Sequence, residues 1–370
     1  MVVMALDHVR DFFHFGALQG FDPTDLDHTT PSVFFTRWIT HYCAPIFSFL
    51  AGTGACFALA RGKSKRDLAW FLVTRGLWLI FLELTLLVWF GWQFAITPHS
   101  YILATLWSLG WSMIFLAAIL HLPVRAIGWI GVTLIVVHNA FDHVQPQSWG
   151  ACAWVWQVLH AGGNFTLGGT FHFWAFYPLL PWVGVMAAGF AFGSIYQRDS
   201  DTRRRQLTLL GLGLIAAFVV LRFSNVYGDL YRWKPQSSPL FTVISFLNVT
   251  KYPPSLLYLM MTLGTACLLL AQFERGTPRI LRPLLVYGRV PMFYYLVHIP
   301  LIHALAWIWA KTQYGRADFF LGGGPAPAGA GFGLLVVYAI WAAIVIGLYP
   351  ACRWFAALKK RRHDVWLSYF

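Results

Sequence analysis

The sequence predicts an all-α membrane protein, a polytopic bundle of about ten transmembrane helices with both chain ends in the cytoplasm. The first observation is composition: 58% of the residues are hydrophobic, 18% are aromatic and only 11% are charged. A soluble domain cannot bury that much apolar surface, so the composition excludes an ordinary soluble enzyme. The second observation is length, because 370 residues accommodate about ten spans of about 20 residues with short connections.

Ten apolar runs separated by polar, glycine-rich or proline-rich turns are the predicted helices. They lie near residues 1–18, 33–60, 68–92, 100–120, 124–141, 174–196, 206–223, 254–272, 284–309 and 332–356. The first run begins inside an apolar stretch, so we expect the first helix to continue upstream of Met1. Because no internal repeat stands out, residues 1–370 are predicted to form a single integral-membrane domain.

Lysine and arginine are distributed unevenly among the connections, which is the third observation. Alternate connections and the C-terminal tail hold about 17 basic residues, against about 6 on the other side. The positive-inside rule therefore predicts that this side and both termini are cytoplasmic. The net charge of +13 follows from that topology, so membrane lipid is an expected partner and nucleic acid is not. The five cysteines are scattered without a CxxC pair, which predicts neither a disulfide framework nor a zinc site.

The first helix carries an unusual set of ionisable side chains. Asp7, Arg10, Asp11 and His14 are spaced i, i+3, i+4 and i+7, which places them on one helix face, with His8 beside them. A charge facing lipid at a helix centre costs about 2.5–3.5 kcal/mol. The stripe must therefore face the protein interior or a water-filled cavity, either as a structural ion-pair cluster or as part of a functional site.

The loop and helix that follow contain further candidates. The loop FDPTDLDHTT contains His28, and the next helix has Arg37 and His41 one turn apart. Because a short loop joins these helices, their outer ends should be neighbours, and both histidines can approach the acidic stripe. A carboxylate that orients an imidazole for proton transfer is a common general-base arrangement.

A second cluster has spacing compatible with metal ligands. His138, Asp142 and His143 lie at i, i+4 and i+5 near a predicted helix end. A capped helix terminus is the preferred interpretation of this spacing, and no metal site is predicted.

Five segments in order resemble the bacterial branch of the heparan-alpha-glucosaminide N-acetyltransferase catalytic-domain family. They are MALDHVRDFFH, THYCAPIFSFLAG, YPLLPWVGVMAAGFAFG, TKYPPSLLYLMMTLG and YGRVPMFYYLVHIPLIH. The resemblance implies a multi-pass transferase of a bacterial inner membrane that uses acetyl-CoA as co-substrate. It would move the acetyl group from the cytoplasm to an extracytoplasmic sugar-type acceptor.

The resemblance also implies two catalytic residues. His28 corresponds to the catalytic histidine in the first luminal loop of the lysosomal members, acting as base or as acylated nucleophile. Asp7 occupies the place of an assisting asparagine. Asp replaces Asn here, and the spacing between the two positions is longer, so the acceptor and the acyl group remain open.

The remaining site predictions follow from charge and position. Groups expected to support the reaction or bind the acceptor are His8, Arg10, Asp11, His41, Lys251 and Tyr252. Arg75 and Arg289 are expected to bind the phosphates of acetyl-CoA, because intramembrane cations need partners. An internal ion pair with Glu83 is the alternative for Arg75.

A proton-coupled transporter or exporter is the alternative function, because titratable residues in the first helix and a broken helix near Lys251 also fit transport. Paired repeats with matched interrupted helices would favour transport, and the sequence contains none. A glycan or another small molecule as acceptor, homo-oligomer formation, and a ternary-complex or ping-pong route all stay open.

Overall fold

A computed structural model describes residues 1–94, 96–321, 324–362 and 364–369, and most of them lie in long α-helices. The helices are α1 Val2–Phe13, α2 Pro31–Ala60, α3 Lys65–Trp92, α4 Thr105–Ile119, α5 Val124–Phe141, α6 Leu179–Gln197, α7 Ser200–Ser224, α8 Pro239–Leu247, α9 Leu256–Phe273, α10 Pro291–Tyr314 and α11 Leu334–Arg361. Eight of these are long and apolar enough to cross a membrane, within the described ranges. The all-α polytopic prediction is confirmed.

Two of the predicted spans are shorter than a membrane crossing requires. Helix α1 has 12 residues and α4 has 15 residues. Helix α8, which the sequence did not predict, is a short helix of 9 residues in the connection between α7 and α9. The last part of α3, Glu83–Trp92, is a π-helix. This form is rare in proteins, and where it occurs it is often at a functional site.

Side-chain caps explain where several helices begin. In each case a serine, threonine or aspartate oxygen accepts a hydrogen bond from a backbone N–H in the first turn of the helix. These residue types are the ones preferred at the N-cap position. These N-caps are Thr30 of α2, Ser64 of α3, Asp199 of α7, Ser238 of α8 and Ser255 of α9.

Glycines let four pairs of helices touch backbone to backbone. A Cβ atom on Gly52 of α2 would lie 2.0 Å from the carbonyl oxygen of Met186 in α6, and one on Gly189 would lie 2.1 Å from that of Phe49. The same close approach joins α3 to α4, α5 to α6, and α7 to α9, through Gly76 and Gly110, Gly131 and Gly184, and Gly211 and Gly264. Small residues at such contacts are typical of helix packing in membranes.

A small sheet corrects two predicted helix starts. Strand β1 Ser100–Leu103 pairs in parallel with β3 Phe171–Ala175, and β3 pairs antiparallel with β2 Gly163–Leu167. The helices predicted near 100–120 and 174–196 therefore begin only at Thr105 and Leu179. Those starts were wrong because β1 and β3 consist mainly of apolar and aromatic residues and are followed closely by apolar helices, so each strand and its helix form one apolar run in the sequence.

Two further helix boundaries differ from the prediction. The first helix ends at Phe13, because His14 is extended and its backbone bridges to Phe332. The run predicted near 284–309 is a short helix, Leu285–Arg289, followed by α10, which begins at Pro291. Proline is favoured in the first turn of a helix, where its missing N–H is no loss.

The connections alternate between two ends of the bundle. We call the end that holds residues 61–64, 120–123 and 274–290 the basic end. The opposite end holds the loop 19–30, the three-stranded sheet and the connection between α7 and α9.

Candidate active site

The carboxylate of Asp7 is the centre of a buried charge cluster, which we define as Asp7, Arg10, Arg37 and Lys251. Asp7 Oδ1 is 2.8 Å from Arg10 Nη2, and Asp7 Oδ2 is 2.5 Å from Arg37 Nη1. Lys251 Nζ lies 3.9 Å from Oδ2, and the Thr40 hydroxyl donates to Oδ1 at 2.9 Å. Only 10% of the Asp7 side chain is exposed, so these contacts replace the hydration of its charge.

Asp11 completes the charge balance from the surface side. It accepts a hydrogen bond from Arg10 at 2.6 Å, and 44% of its side chain is exposed. Three cations face two carboxylates, so the cluster and Asp11 together carry one net positive charge. Such a site attracts an anion or a carbonyl oxygen.

The connection between α7 and α9 holds Lys251 in place. Asp229 accepts hydrogen bonds from the backbone and hydroxyl of Thr250 and from the hydroxyl of Ser255, on either side of Lys251. Arg222 anchors the same connection by donating to the carbonyl oxygens of Tyr231, Ser245, Phe246 and Asn248. Lys251 thereby lies in a connection that these hydrogen bonds hold in place.

Tyr252 lies beside the charge cluster. Its ring is 5.1 Å from Lys251 Nζ and 5.5 Å from the ring of Tyr177, to which it is also hydrogen-bonded. Burial disfavours ionisation of the phenol, but Lys251 and Arg37 outweigh it and lower the pKa of Tyr252. The hydroxyl is therefore a better hydrogen-bond donor than an ordinary phenol.

Two histidines predicted to support the site lie close to the cluster. His41 is buried, and its carbonyl oxygen accepts a hydrogen bond from the Tyr258 hydroxyl at 2.6 Å. The ring of His8 lies 5.1 Å from that of Trp92 and 5.3 Å from that of His298. In each of these two histidines, Nδ1 is buried and has no hydrogen-bond partner among the described residues.

His28 lies in the loop 19–30, at the end of the bundle opposite the basic end, and pairs with Asp25 instead of Asp7. Its Nδ1 is 2.7 Å from Asp25 Oδ2, its ring stacks on Phe21, and 54% of its side chain is exposed. The hydrogen bond with His28 lowers the pKa of Asp25, so this carboxylate is ionised at neutral pH. His28 and Arg10 line one cavity of about 130 Å³, which makes Arg10 the link between His28 and Asp7.

The two arginines predicted to bind the donor are separated. Arg289 and Arg282 line a cavity of about 440 Å³ at the basic end, together with Thr277, Leu285 and Val286. Arg75 lies outside that lining, with its guanidinium 5.7 Å from the ring of Phe71. The partner of Glu83 is the first turn of α4, since its Oε2 accepts from the backbone N–H of Leu106 at 2.7 Å.

His138 and Asp142, two of the three residues whose spacing is compatible with metal ligands, make hydrogen bonds within the protein. Asp142 accepts from the amide of Asn139 at 2.8 Å and lies 3.1 Å from His160 Nε2. The ring of His138 reaches the carbonyl oxygens of Ile135 and Pro254 at 2.9 Å each. These contacts fasten the end of α5 to the start of α9.

Arg37 and Thr40 are the two contacts of Asp7 that sequence reasoning did not assign to the site. Arg37 was visible as a lone charge in an apolar run, and such a residue requires a buried partner. Thr40 carries no comparable signal, because threonine is common in membrane helices.

Residues 6–222 match the sequence profile of the family described as "Heparan-alpha-glucosaminide N-acetyltransferase, catalytic". The chain belongs to this family. The match covers more than half of the chain and runs from α1 to α7, so it includes Asp7, Arg10, Arg37 and His28. Membership in the heparan-alpha-glucosaminide N-acetyltransferase catalytic family makes this protein a multi-pass membrane acetyltransferase. No curated protein and no solved structure matches the chain.

Proposed function

We propose that this family member transfers an acetyl group from acetyl-CoA, bound at the basic end, to a sugar-type acceptor that enters from the opposite end. The observation that carries the proposal is the buried charge cluster around Asp7, of which Asp7, Arg10 and Arg37 lie in the family-matched region. The proposal takes the basic end as cytoplasmic, the membrane as a bacterial inner membrane, and residues 1–370 as one catalytic domain.

The donor is proposed to bind at the cavity of Arg282 and Arg289. Guanidinium groups form bidentate, charge-assisted hydrogen bonds with phosphate, and coenzyme A carries several phosphate groups. The cavity has about 440 Å³, which suits part of such a ligand. Arg75 of α3, which does not line this cavity, is proposed as a further phosphate contact.

The acceptor is proposed to enter through the cavity of about 130 Å³ shared by His28 and Arg10. Asp25 orients the imidazole of His28, which makes His28 the first candidate for the base or the acylated nucleophile. Lys251 and Tyr252 would then bind acceptor hydroxyl groups beside Asp7. His41, His8 and Asp11 would support this arrangement.

The chemistry needs a polarised thioester and a proton acceptor. The acceptor amine or hydroxyl attacks the carbonyl carbon, the new bond forms, and the carbon–sulfur bond breaks with its electron pair left on sulfur. The net positive charge of the cluster stabilises negative charge that develops on the carbonyl oxygen. The acceptor proton passes to an imidazole and then to the thiolate, which leaves as coenzyme A.

The test is binding and turnover of labelled acetyl-CoA by purified protein in detergent. Wild type is compared with R282A/R289A and with R232A, an exposed arginine of the opposite end. Binding and slow hydrolysis by wild type and R232A, with a Kd raised about tenfold or more in the double variant, support the proposal. Absence of binding by folded wild-type protein at millimolar acetyl-CoA would refute it and favour transport.

A further inference from the structure

The imidazole of His298, in α10, has a defined tautomer and an unused nitrogen. Its Nδ1 is 2.8 Å from the carbonyl oxygen of Tyr294, and a carbonyl oxygen can only accept. Nδ1 therefore carries the hydrogen, and in the neutral ring Nε2 carries a lone pair. That Nε2 is buried and contacts no hydrogen-bonding group in the part of the chain that the structure describes.

His8 connects this nitrogen to the charge cluster. The rings of His8 and His298 are 5.3 Å apart, and His8 follows Asp7 directly on α1. His8 Nδ1 is also buried without a partner among the described residues, although the His8 side chain is partly exposed. Two imidazole rings, each with a buried nitrogen that lacks a partner among the described residues, are therefore neighbours next to the charge cluster.

Unsatisfied buried polar groups are rare in proteins, and in lipid they have no water to compensate them. A neutral imidazole with a free lone pair, oriented by a backbone carbonyl, is the arrangement that general-base catalysis requires. His28 also uses its Nδ1, in the contact with Asp25, but 54% of its side chain is exposed to solvent, whereas His298 is fully buried.

The position of His298 also fits the proposed donor site. The Arg289 cavity lies at the basic end, directly before α10 begins at Pro291. His298 is seven residues farther along, or about 10 Å at 1.5 Å per residue. An extended pantetheine arm bridges such a distance, which would bring the thioester of a donor held by its phosphates close to His298.

We propose that His298 is the proton acceptor of the acetyl transfer and that His8 positions the reacting groups against it. This inference rests on the proposed acetyl transfer and assigns to His298 the role that the sequence predicted for His28. The acceptor X–H forms the C–X bond as the C–S bond breaks. Its proton moves to His298 Nε2 and from there to the CoA thiolate, so His298 regains its lone pair.

The same helix supplies a matched control. His303 Nδ1 donates to the carbonyl oxygen of Gly91 at 2.8 Å, and its buried Nε2 also has no partner among the described residues. Its ring, however, is stacked between Phe12 at 4.6 Å and Phe94 at 4.1 Å. His303 therefore shares the tautomer, the burial and an aromatic neighbour with His298, whose ring stacks on Tyr294 at 4.8 Å. The ring of His298 differs in that it also lies 5.3 Å from the ring of His8.

The experiment measures kcat, KM, the pH profile of kcat/KM and acetyl-CoA binding for wild type, H298Q, H303Q, H28Q and H8Q. H298Q should lower kcat by about 10²–10⁴-fold and remove the rising limb of the pH profile, with acetyl-CoA binding retained. H303Q should stay within about threefold of wild type, because the ring of His303 stacks on Phe12 and Phe94 and not beside His8. H8Q should shift the midpoint of that limb without removing it.

The contrary result is wild-type kcat and an unchanged pH profile in H298Q, with the loss found in H28Q. That outcome would overturn the assignment of His298 while the proposed function stands. If H298Q unfolds, H298N is measured at the same pH values, and retention of the rising limb there would overturn the assignment equally. Wild-type protein that neither binds nor turns over acetyl-CoA would refute the function itself.

Discussion

Replacement of Asp7 by asparagine tests how strongly the charge cluster holds α1 against α2. The substitution keeps the shape of the side chain and removes its charge. Arg10, Arg37 and Lys251 then face Asp11 alone, so the net charge rises from one to two positive charges. Removal of one partner from a buried ion pair costs about 3–5 kcal/mol, because the remaining charges stay desolvated.

The assay is thermal unfolding in one detergent, followed by tryptophan fluorescence, for wild type, D7N and the control D11N. Asp11 pairs with the same Arg10 but is 44% exposed, so its loss should cost only about 0–1 kcal/mol. D7N should therefore unfold at a clearly lower temperature than D11N. The double variant D7N/R37Q returns the net charge to one and should recover part of the loss.

The reasoning would fail if D7N and D11N unfolded at the same temperature. Asp7 would then be solvated in solution, or its cations would find other partners at no cost. Equal stability combined with a large loss of turnover in D7N would leave Asp7 with a chemical role only.

Three further predictions concern other parts of the molecule. E83Q removes the charge that binds the N–H of Leu106 at the start of α4 and should lower the free energy of unfolding by about 1–2 kcal/mol, measured in urea. G52A should destabilise the protein by more than about 2 kcal/mol in the same assay, because the new Cβ atom would clash with the backbone of Met186. G54A is the control, because a Cβ atom at that position meets open space, and it should destabilise the protein by less than about 1 kcal/mol. R289A should raise the KM for acetyl-CoA about tenfold with little change in kcat, and an unchanged KM in steady-state kinetics would exclude Arg289 from the donor site.

The fold class could be predicted because the length of apolar runs reports directly on membrane crossing. The sheet could not be predicted from the same signal, since the aromatic segment before Leu179 contains no charged residue that separates it from the helix that follows. Helix α8 was not predicted because its 9 residues form an apolar run that is too short to distinguish a helix from a strand or a loop.

The candidate site was predictable only in part. Helical periodicity on α1 predicted that Asp7 and Arg10 face the interior, and both are buried. Periodicity cannot identify partners from distant segments, which is why the contacts of Arg37 and Lys251 with Asp7 appear only in the folded chain. The orientation of His28 depends on a loop hydrogen bond with Asp25, which no repeat encodes.

The glycine contacts described above determine which parts of the molecule can move. Where two backbones touch, neither helix can slide past the other without a clash, so α2 with α6, α5 with α6, and α3 with α4 act as stiff units. Helix α1 is held differently, by ion pairs on one side and by packing against α10 and α11 on the other. Ion pairs and aromatic contacts can exchange partners one at a time, so α1 has more freedom to move against its neighbours than these helix pairs have. His8 lies on α1 and His298 on α10, so a movement of α1 against α10 would change the distance between their two rings.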